Sequence, residues 1–169
     1  MQATANTADA DVSEKQRSRE GKYLTFVLAD EEYGIGILKV KEIIGLMPIT
    51  PVPKTPSHVK GVINLRGKVI PVVDLRLKFG MSGAQSTERT CIIVVEISFC
   101  GNKISMGIVV DSVSEVLNIR AVEIEDTSSF GTKLDTDYIL GMAKSGQGVK
   151  ILLDIDKVVN SGEIHHLAA

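Results

Sequence analysis

The chain has 169 residues, with 19 Lys+Arg against 21 Asp+Glu and a formal net charge of −2. That balance excludes a protein held to DNA or RNA mainly by phosphate neutralisation, and 4% aromatics with no Trp leave little for stacking bases. Hydrophobic residues, at 44%, suffice for a core; no apolar run nears the roughly 18 residues of a membrane span, and Met1–Ala10 lacks the basic and apolar regions of a secretory signal, so a cytoplasmic protein is expected.

Residues 1–20 are small, polar and mixed in charge. They read as a disordered tail, with a helix over Asp11–Arg19 as the alternative. From Lys22 onward, short runs rich in Val, Ile, Leu, Phe and Tyr alternate with turn residues. Tyr23–Ala29 and Tyr33–Leu38 read as a hairpin turning at Asp30–Glu32, and Val40–Leu46 continues after a bend. Pro48, Pro51, Pro53 and Pro56 then interrupt pairing, and Thr55-Pro56 has the form of a cap and first residue of one helical turn. Gly61–Asn64 and Lys68–Asp74 read as strands separated by Leu65-Arg66-Gly67. After the Gly/Ser-rich stretch Gly80–Thr87 the pattern restarts with Cys91–Ser98, Lys103–Val110 and Ser112–Ile119. A polar segment, Glu123–Asp137, precedes short strands at Gly141–Ala143 and Val149–Asp154, and Asp156 is placed to cap a final helix from Lys157 to about Glu163. Short strands at even spacing predict an all-β barrel or sandwich.

The two halves resemble each other. Gly34-Ile35 followed by Val40-Lys41-Glu42-Ile43-Ile44 matches Gly107-Ile108 followed by Val113-Ser114-Glu115-Val116-Leu117, at an offset of 73 (107 less 34). Gly61-Val62 and Val72-Val73-Asp74-Leu75 match Gly141-Met142 and Leu152-Leu153-Asp154-Ile155 at an offset of 80 (141 less 61). Two copies of one small β module are expected, each marginal alone and stabilised by a shared seam. Residues that only hold the module together should recur in both copies. Arg66 does not, because its counterpart is Gly146. Its choice is therefore between a solvated turn arginine and a partner contact.

Chemistry is scarce. His58, His165 and His166 form no HExxH, and no CxxC accompanies Cys91 and Cys100, so neither a zinc site nor a disulfide framework is expected. Gly34-Ile35-Gly36 lacks the third glycine of a dinucleotide fingerprint. Asp74 and Asp154 occupy equivalent places in the repeat, which favours acceptors of turn N–H groups over a catalytic dyad. No catalytic residue, metal or cofactor is assigned. Apolar surface remains: Leu46-Met47-Pro48-Ile49 lies where prolines prevent regular pairing, and Val40 and Val116 flank the expected seam. A groove lined by aliphatics suits a helix laid along it.

These residues carry a resemblance to a family. Glu31–Ile43, Lys60–Arg76, Gly107–Leu117 and Tyr138–Gly141 are similar to the hallmark segments of CheW, the chemotaxis coupling proteins of bacteria, over about Lys22 to Asn160. The resemblance implies two five-stranded SH3-like β-barrels packed side by side, with short helices in connections and at the C-terminus. Its division of the chain is a 1–20 tail, a first barrel at 21–85, a second at 86–156 and a 157–169 helix or tail, with strands free to cross between barrels. It implies a non-catalytic adaptor linking the helical tip of chemoreceptors to the regulatory domain of the histidine kinase CheA. Carried over residue by residue, it places Ile37, Val40, Glu42, Gly61, Arg66, Val113 and Val116 at or beside the receptor site. It turns Leu46, Met47 and Ile49 toward the kinase, and Phe130 resembles a residue of a second contact with it. A paralogue serving a non-motility chemosensory pathway is the alternative within the fold. A small nucleic-acid-binding barrel is the alternative outside it, and composition opposes it.

Overall fold

The computed structural model describes residues 14–126, 138–146 and 148–159. A short helix α1 (Glu14–Arg19) leads into β1 (Gly21–Leu28), β2 (Glu31–Gly36), a 3-10 turn (Ile37–Lys39), β3 (Val40–Gly45), β4 (Val59–Leu65), β5 (Lys68–Asp74) and α2 (Leu75–Lys78). The second half has β6 (Cys91–Phe99), β7 (Asn102–Val110), β8 (Ser112–Ile119), a 3-10 turn (Ala121–Glu123), β9 (Ile124–Glu125), β10 (Ile139–Ser145), β11 (Gly148–Leu153) and α3 (Ile155–Val159). Among the described residues, three hairpins turn on two residues of positive φ: Ala29-Asp30 (50° and 69°), Arg66-Gly67 (53° and 85°) and Cys100-Gly101 (51° and 81°). Two positive φ angles mark the type I′ turn, whose twist matches that of paired strands.

The strands form two sheets, ordered β8-β1-β2-β11-β10-β9 and β3-β6-β7-β5-β4. The repeat explains this order. Each sheet takes the first two strands of one copy and the later strands of the other. The joints are parallel and equivalent: Leu152 pairs with Gly34 where β11 meets β2, and Val72 pairs with Gly107 where β5 meets β7. Even the bulges recur, between Val59 and Gly61 in β4 and between Ile139 and Gly141 in β10. Because the exchange is reciprocal, the operation that carries one copy onto the other also carries the second onto the first. The molecule therefore has an internal pseudo-two-fold axis. The sheets do not divide the chain near residue 85: one is built from residues 21–36 and 112–153, the other from residues 40–110.

Three cores result. Tyr23, Ile119, Ile124, Ala143 and Leu152 fill the interior of the first barrel, and Ile63, Ile70, Val72, Ile92 and Val94 that of the second. Seventeen buried residues among those described, including Leu24, Phe26, Ile35, Ile93, Val95 and Ile108, form a larger core between the sheets. Strand β6 serves two cores at once. Ile92 and Val94 point into the barrel, while Ile93, Val95 and Ile97 point into the shared layer. Burial on both faces is why it reads as a continuous apolar run rather than an alternating one.

The two chain crossovers between sheets are each tied by an ion pair. Arg76, just after β5, donates from Nε and Nη2 to Asp111 at 2.8 and 2.6 Å, and Asp111 also accepts the Ala29 amide. Hydrogen bonding to Arg76 holds the Asp111 carboxyl below the usual carboxylate range, against the opposing effect of burial. At the other crossover Lys39 pairs with Asp156 at 2.6 Å, and Asp156 accepts the Ser98 amide. The device is the same with the charges exchanged, since Asp156 stands 80 residues after Arg76.

Three readings of the sequence are corrected. Residues 14–19 are helical rather than tail, because buried Arg19 donates to the Leu140 carbonyl and its own carbonyl accepts the Tyr23 hydroxyl. The last helix starts at Ile155, with Asp154 as its first acceptor, so Asp156 is an ion-pair partner and not the cap. Thr55 opens no helix; its hydroxyl donates to the Val52 carbonyl. Asp74 does accept the Arg76 amide at 2.9 Å, capping α2.

Fragments 1–85 and 86–169 test the exchange. Each carries two strands of one sheet and three or more of the other, so each alone is expected to lack cooperative unfolding by circular dichroism. Mixed, they should regain it. A monomeric fragment unfolding cooperatively by itself would contradict the exchange.

Candidate helix-binding groove

Strands β3 and β8 each end a sheet, as β4 and β9 do at the opposite ends. Directly opposed residues of an antiparallel pair share a face. Val40 opposes Val95 and Ile43 opposes Ile93. In the other sheet Val113 opposes Phe26 and Val116 opposes Leu24. All four partners belong to the shared core. Val40, Ile43, Val113 and Val116 therefore extend the shared layer out to solvent. Val40 and Val113 are half-buried, whereas Ile43 is 46% exposed and Val116 49% exposed. A bulge between Val40 and Glu42 lets Val40 and Ile43 lie on one face although three residues separate them in number. The matching bulge in β8 is filled by Thr25, fully buried, whose hydroxyl donates to the Glu115 carbonyl and accepts its amide at 2.8 and 3.1 Å.

The two edges flank one trough and run antiparallel. At one end the Cys91 sulfur, at the start of β6 and opposite Gly45, meets the backbone of Val113; Val27, Cys91, Ser112 and Val113 line a common cavity of about 560 Å³ there. At the other end Gly36, just ahead of β3, opposes Tyr23, which opposes Leu117 of β8. The turn that starts β3 thus leaves the first sheet level with the end of β8, with β1 between them. Val40 and Val116 mark one end of the trough, and Ile43 and Val113 the other.

The seven residues assigned to the receptor site by resemblance fall into three groups. Val40, Val113 and Val116 line the trough, and Ile37 packs on the shared core in the turn leading to it. Glu42 and Arg66 stand on the other face of β3, at the mouth of the second barrel, with Leu65, Ile70, Val94 and Ser105 around a cavity of about 240 Å³. Arg66 Nη1 donates to Glu42 Oε1 at 3.2 Å and Nη2 to Oε2, a bidentate pair. That hydrogen bonding holds the Glu42 carboxyl below its ordinary range and raises the guanidinium in turn. Gly61 is buried at φ 138°, and a Cβ there would stand 2.0 Å from the Thr50 carbonyl oxygen. Its counterpart Gly141, at φ 159°, is crowded too, with Ile124 Cγ2 at 2.7 Å and the Glu125 carbonyl oxygen at 2.9 Å from where a Cβ would stand, so close approach of neighbouring chain accounts for this glycine in both copies.

Of the kinase-facing residues, Leu46 is 41% exposed, while Met47 and Ile49 are half-buried against the core of the second barrel. Phe130 lies outside the described residues. Sequence reasoning missed Ile43 as a groove residue, although its repeat relation to Val116 marked it. It also missed Leu38, which is 97% exposed in the first crossover and had no pattern to reveal it. Among the described residues no cluster of three His, Cys, Asp or Glu could hold a metal.

A two-barrel fold with an exchanged core and an open apolar edge defines a binding module. The family model of the CheW-like domain matches residues 22–163. The chain is 43% identical over 143 residues to the chemotaxis protein CheW of Klebsiella aerogenes, covering 85% of this chain and 84% of that one. It is 34% identical over 140 residues to the chemotaxis protein CheW of Rhizobium meliloti, covering 83% and 88%. The crystal structure of the scaffolding protein TtCheW from Thermoanaerobacter tengcongensis superposes with a TM-score of 0.74 at 36% identity, covering 85% of this chain and 95% of that one. The chain belongs to the CheW-like family.

Arg66 stands at φ 53° where the second copy has Gly146 at φ 60°. The turn is a glycine position by conformation, so its backbone does not call for an arginine. Arg66→Gly is expected to shift Tm by less than about 4 °C, because relief of the left-handed backbone offsets loss of an exposed pair. A larger fall in a thermal melt would make the arginine a structural residue.

Proposed function

We propose that this chain is a chemotaxis coupling adaptor working in the cytoplasm, and that the β3–β8 trough receives one helix of a chemoreceptor's cytoplasmic tip. The observation that carries this reading is the shared core left open along one edge. Val40, Ile43, Val113 and Val116 offer apolar surface continuous with a packed floor, and such a surface lowers its free energy by taking an amphipathic helix. Association of this kind needs no reacting group, which agrees with a family known for coupling rather than catalysis. Names of the relatives support the pathway, and the scaffolding role in the name of the solved relative supports assembly with other signalling proteins.

The kinase CheA takes a second surface in this reading. Leu46, Met47, Pro48 and Ile49 leave β3 at the far end of the trough and cap the second barrel, presenting Leu46 outward. Separate surfaces let one molecule hold receptor and kinase together. Packing of Met47 and Ile49 into the same barrel whose edge lines the trough gives a physical path between them.

Val116→Arg and Ile43→Arg place a charge on exposed groove positions without entering the core. Each is expected to weaken binding to a soluble receptor-tip fragment by about tenfold or more, with the far-ultraviolet spectrum and kinase binding unchanged. Leu46→Arg should do the reverse, weakening kinase and sparing receptor. Unaltered receptor affinity in both groove variants would remove the trough as the receptor site.

A further inference from the structure

The two walls of the trough carry the same irregularity and close it in different ways. In β3 the extra residue is Lys41: Val40 opposes Val95, and pairing resumes at once with Glu42 opposite Val94. In β8 the register runs from Val113 opposite Phe26 to Val116 opposite Leu24, so Ser114 and Glu115 together face the single residue Thr25, and the register has no pair there. A two-against-one bulge breaks the ladder where it sits. This break falls between the two valines that line the trough from the β8 side.

The gap is bridged by a side chain. Thr25 Oγ1 donates to the Glu115 carbonyl at 2.8 Å and accepts the Glu115 amide at 3.1 Å. One hydroxyl thus takes both backbone groups of a residue that the bulge leaves without a register partner. Thr25 is wholly buried. It lies on the barrel face of β1, since its neighbours Leu24 and Phe26 point into the shared layer, and it reaches the trough only through the Glu115 backbone. Glu115 is exposed, and β8 ends its sheet, so no further strand holds it from outside. The counterpart of Thr25 is Val94, because Val95 and Ile93 take the places of Phe26 and Leu24 in the other sheet. Threonine differs from valine by a hydroxyl in place of one methyl. The second barrel closes around the methyl and pairs Glu42 in register; the first uses the hydroxyl instead.

We infer that Thr25 is a positioning residue for the trough: its hydroxyl, standing in for a missing ladder rung, fixes the β8 wall and so the placing of Val113 and Val116 against a bound helix. This rests on the reading of the trough as the receptor site. Without the hydroxyl, the Glu115 amide and carbonyl must turn to water or to the β1 backbone, and either move carries the adjoining residues with it. An apolar wall holds a helix through close fit, so displaced valines lose contact although both are still present.

The test uses two variants of the full chain. Thr25→Val removes the hydroxyl and keeps the shape, whereas Thr25→Ser keeps the hydroxyl and removes a buried methyl. Calorimetric titration gives the affinity of each for a receptor-tip fragment and for the kinase's regulatory domain, alongside a thermal melt and methyl spectra of Val and Ile. Thr25→Val is expected to bind the receptor tip about fivefold more weakly, the effect of roughly one lost hydrogen bond. Its kinase affinity should be native, with the Val113 and Val116 methyl signals shifted and those of Val40 and Ile43 in place. Thr25→Ser is expected to melt lower, because it leaves a small cavity, yet to bind the receptor as the native chain does. Native receptor affinity in Thr25→Val overturns the inference and leaves the trough as the site. Receptor affinity that follows the melting temperature in both variants, or kinase affinity that falls with it, also overturns it, since Thr25 would then only support the barrel. Hydrogen exchange on the native chain needs no variant: the Glu115 amide should be protected although its residue is exposed, and free exchange there overturns the inference. Native receptor affinity in both Val116→Arg and Ile43→Arg would instead remove the trough reading, and the inference with it.

Discussion

One apolar layer pressed between two sheets is the constraint on which the rest depends. It is larger than the two barrel interiors together, and both copies of the repeat contribute strands to each of its faces. Neither copy can bury its strands on both faces alone. The chain therefore crosses between sheets twice, and each crossing is pinned by an ion pair, Arg76 with Asp111 and Asp156 with Lys39. An apolar layer between two open sheets has an edge, and at the β3 and β8 edge it stays open to solvent. The trough proposed to bind the receptor is the unsealed margin of the core that holds the fold together.

This origin has a consequence for signalling. The trough's floor is the shared core itself, so a helix seated there touches residues of both sheets at once. Small changes in how that helix packs would be felt as changes in how the two sheets meet. The segment proposed for the kinase, Leu46–Ile49, continues directly from the β3 wall into the core of the second barrel. Coupling between the two surfaces then has a continuous packed route, and its magnitude is set by how differently each partner favours the arrangements of that layer.

Much of the fold was legible in the sequence because the repeat is legible. Gly34 and Gly107, Gly61 and Gly141, and the Asp74 and Asp154 caps stand at fixed offsets, and each proved to have the same structural task in both copies. Sheet membership was not legible. Strand exchange keeps every strand's burial pattern while changing its neighbour, and periodicity reports burial alone. Arg19 was hidden for a related reason: its partner, the Leu140 carbonyl, is a backbone atom 121 residues away. Within the site, Val40 and Val116 could be named as flanking the expected seam and Val113 through the family resemblance; the repeat set Ile43 beside Val116, but only the bulge that turns it to the same face as Val40 puts it at the trough. Leu38 announces itself only in three dimensions, as a leucine almost wholly in solvent.

The central claim is that the open edge of the shared core is where a receptor helix lies. Photo-crosslinking from benzoylphenylalanine placed singly at positions 43 and 116, with positions 69 and 149 at the exposed hairpin tips as comparison, measures this directly in an assembly of receptor tip, kinase and adaptor. Crosslinks to the receptor from 43 and 116, and none from 69 or 149, are the result expected. Receptor crosslinks from the hairpin valines, with silence at the two groove positions, would contradict it.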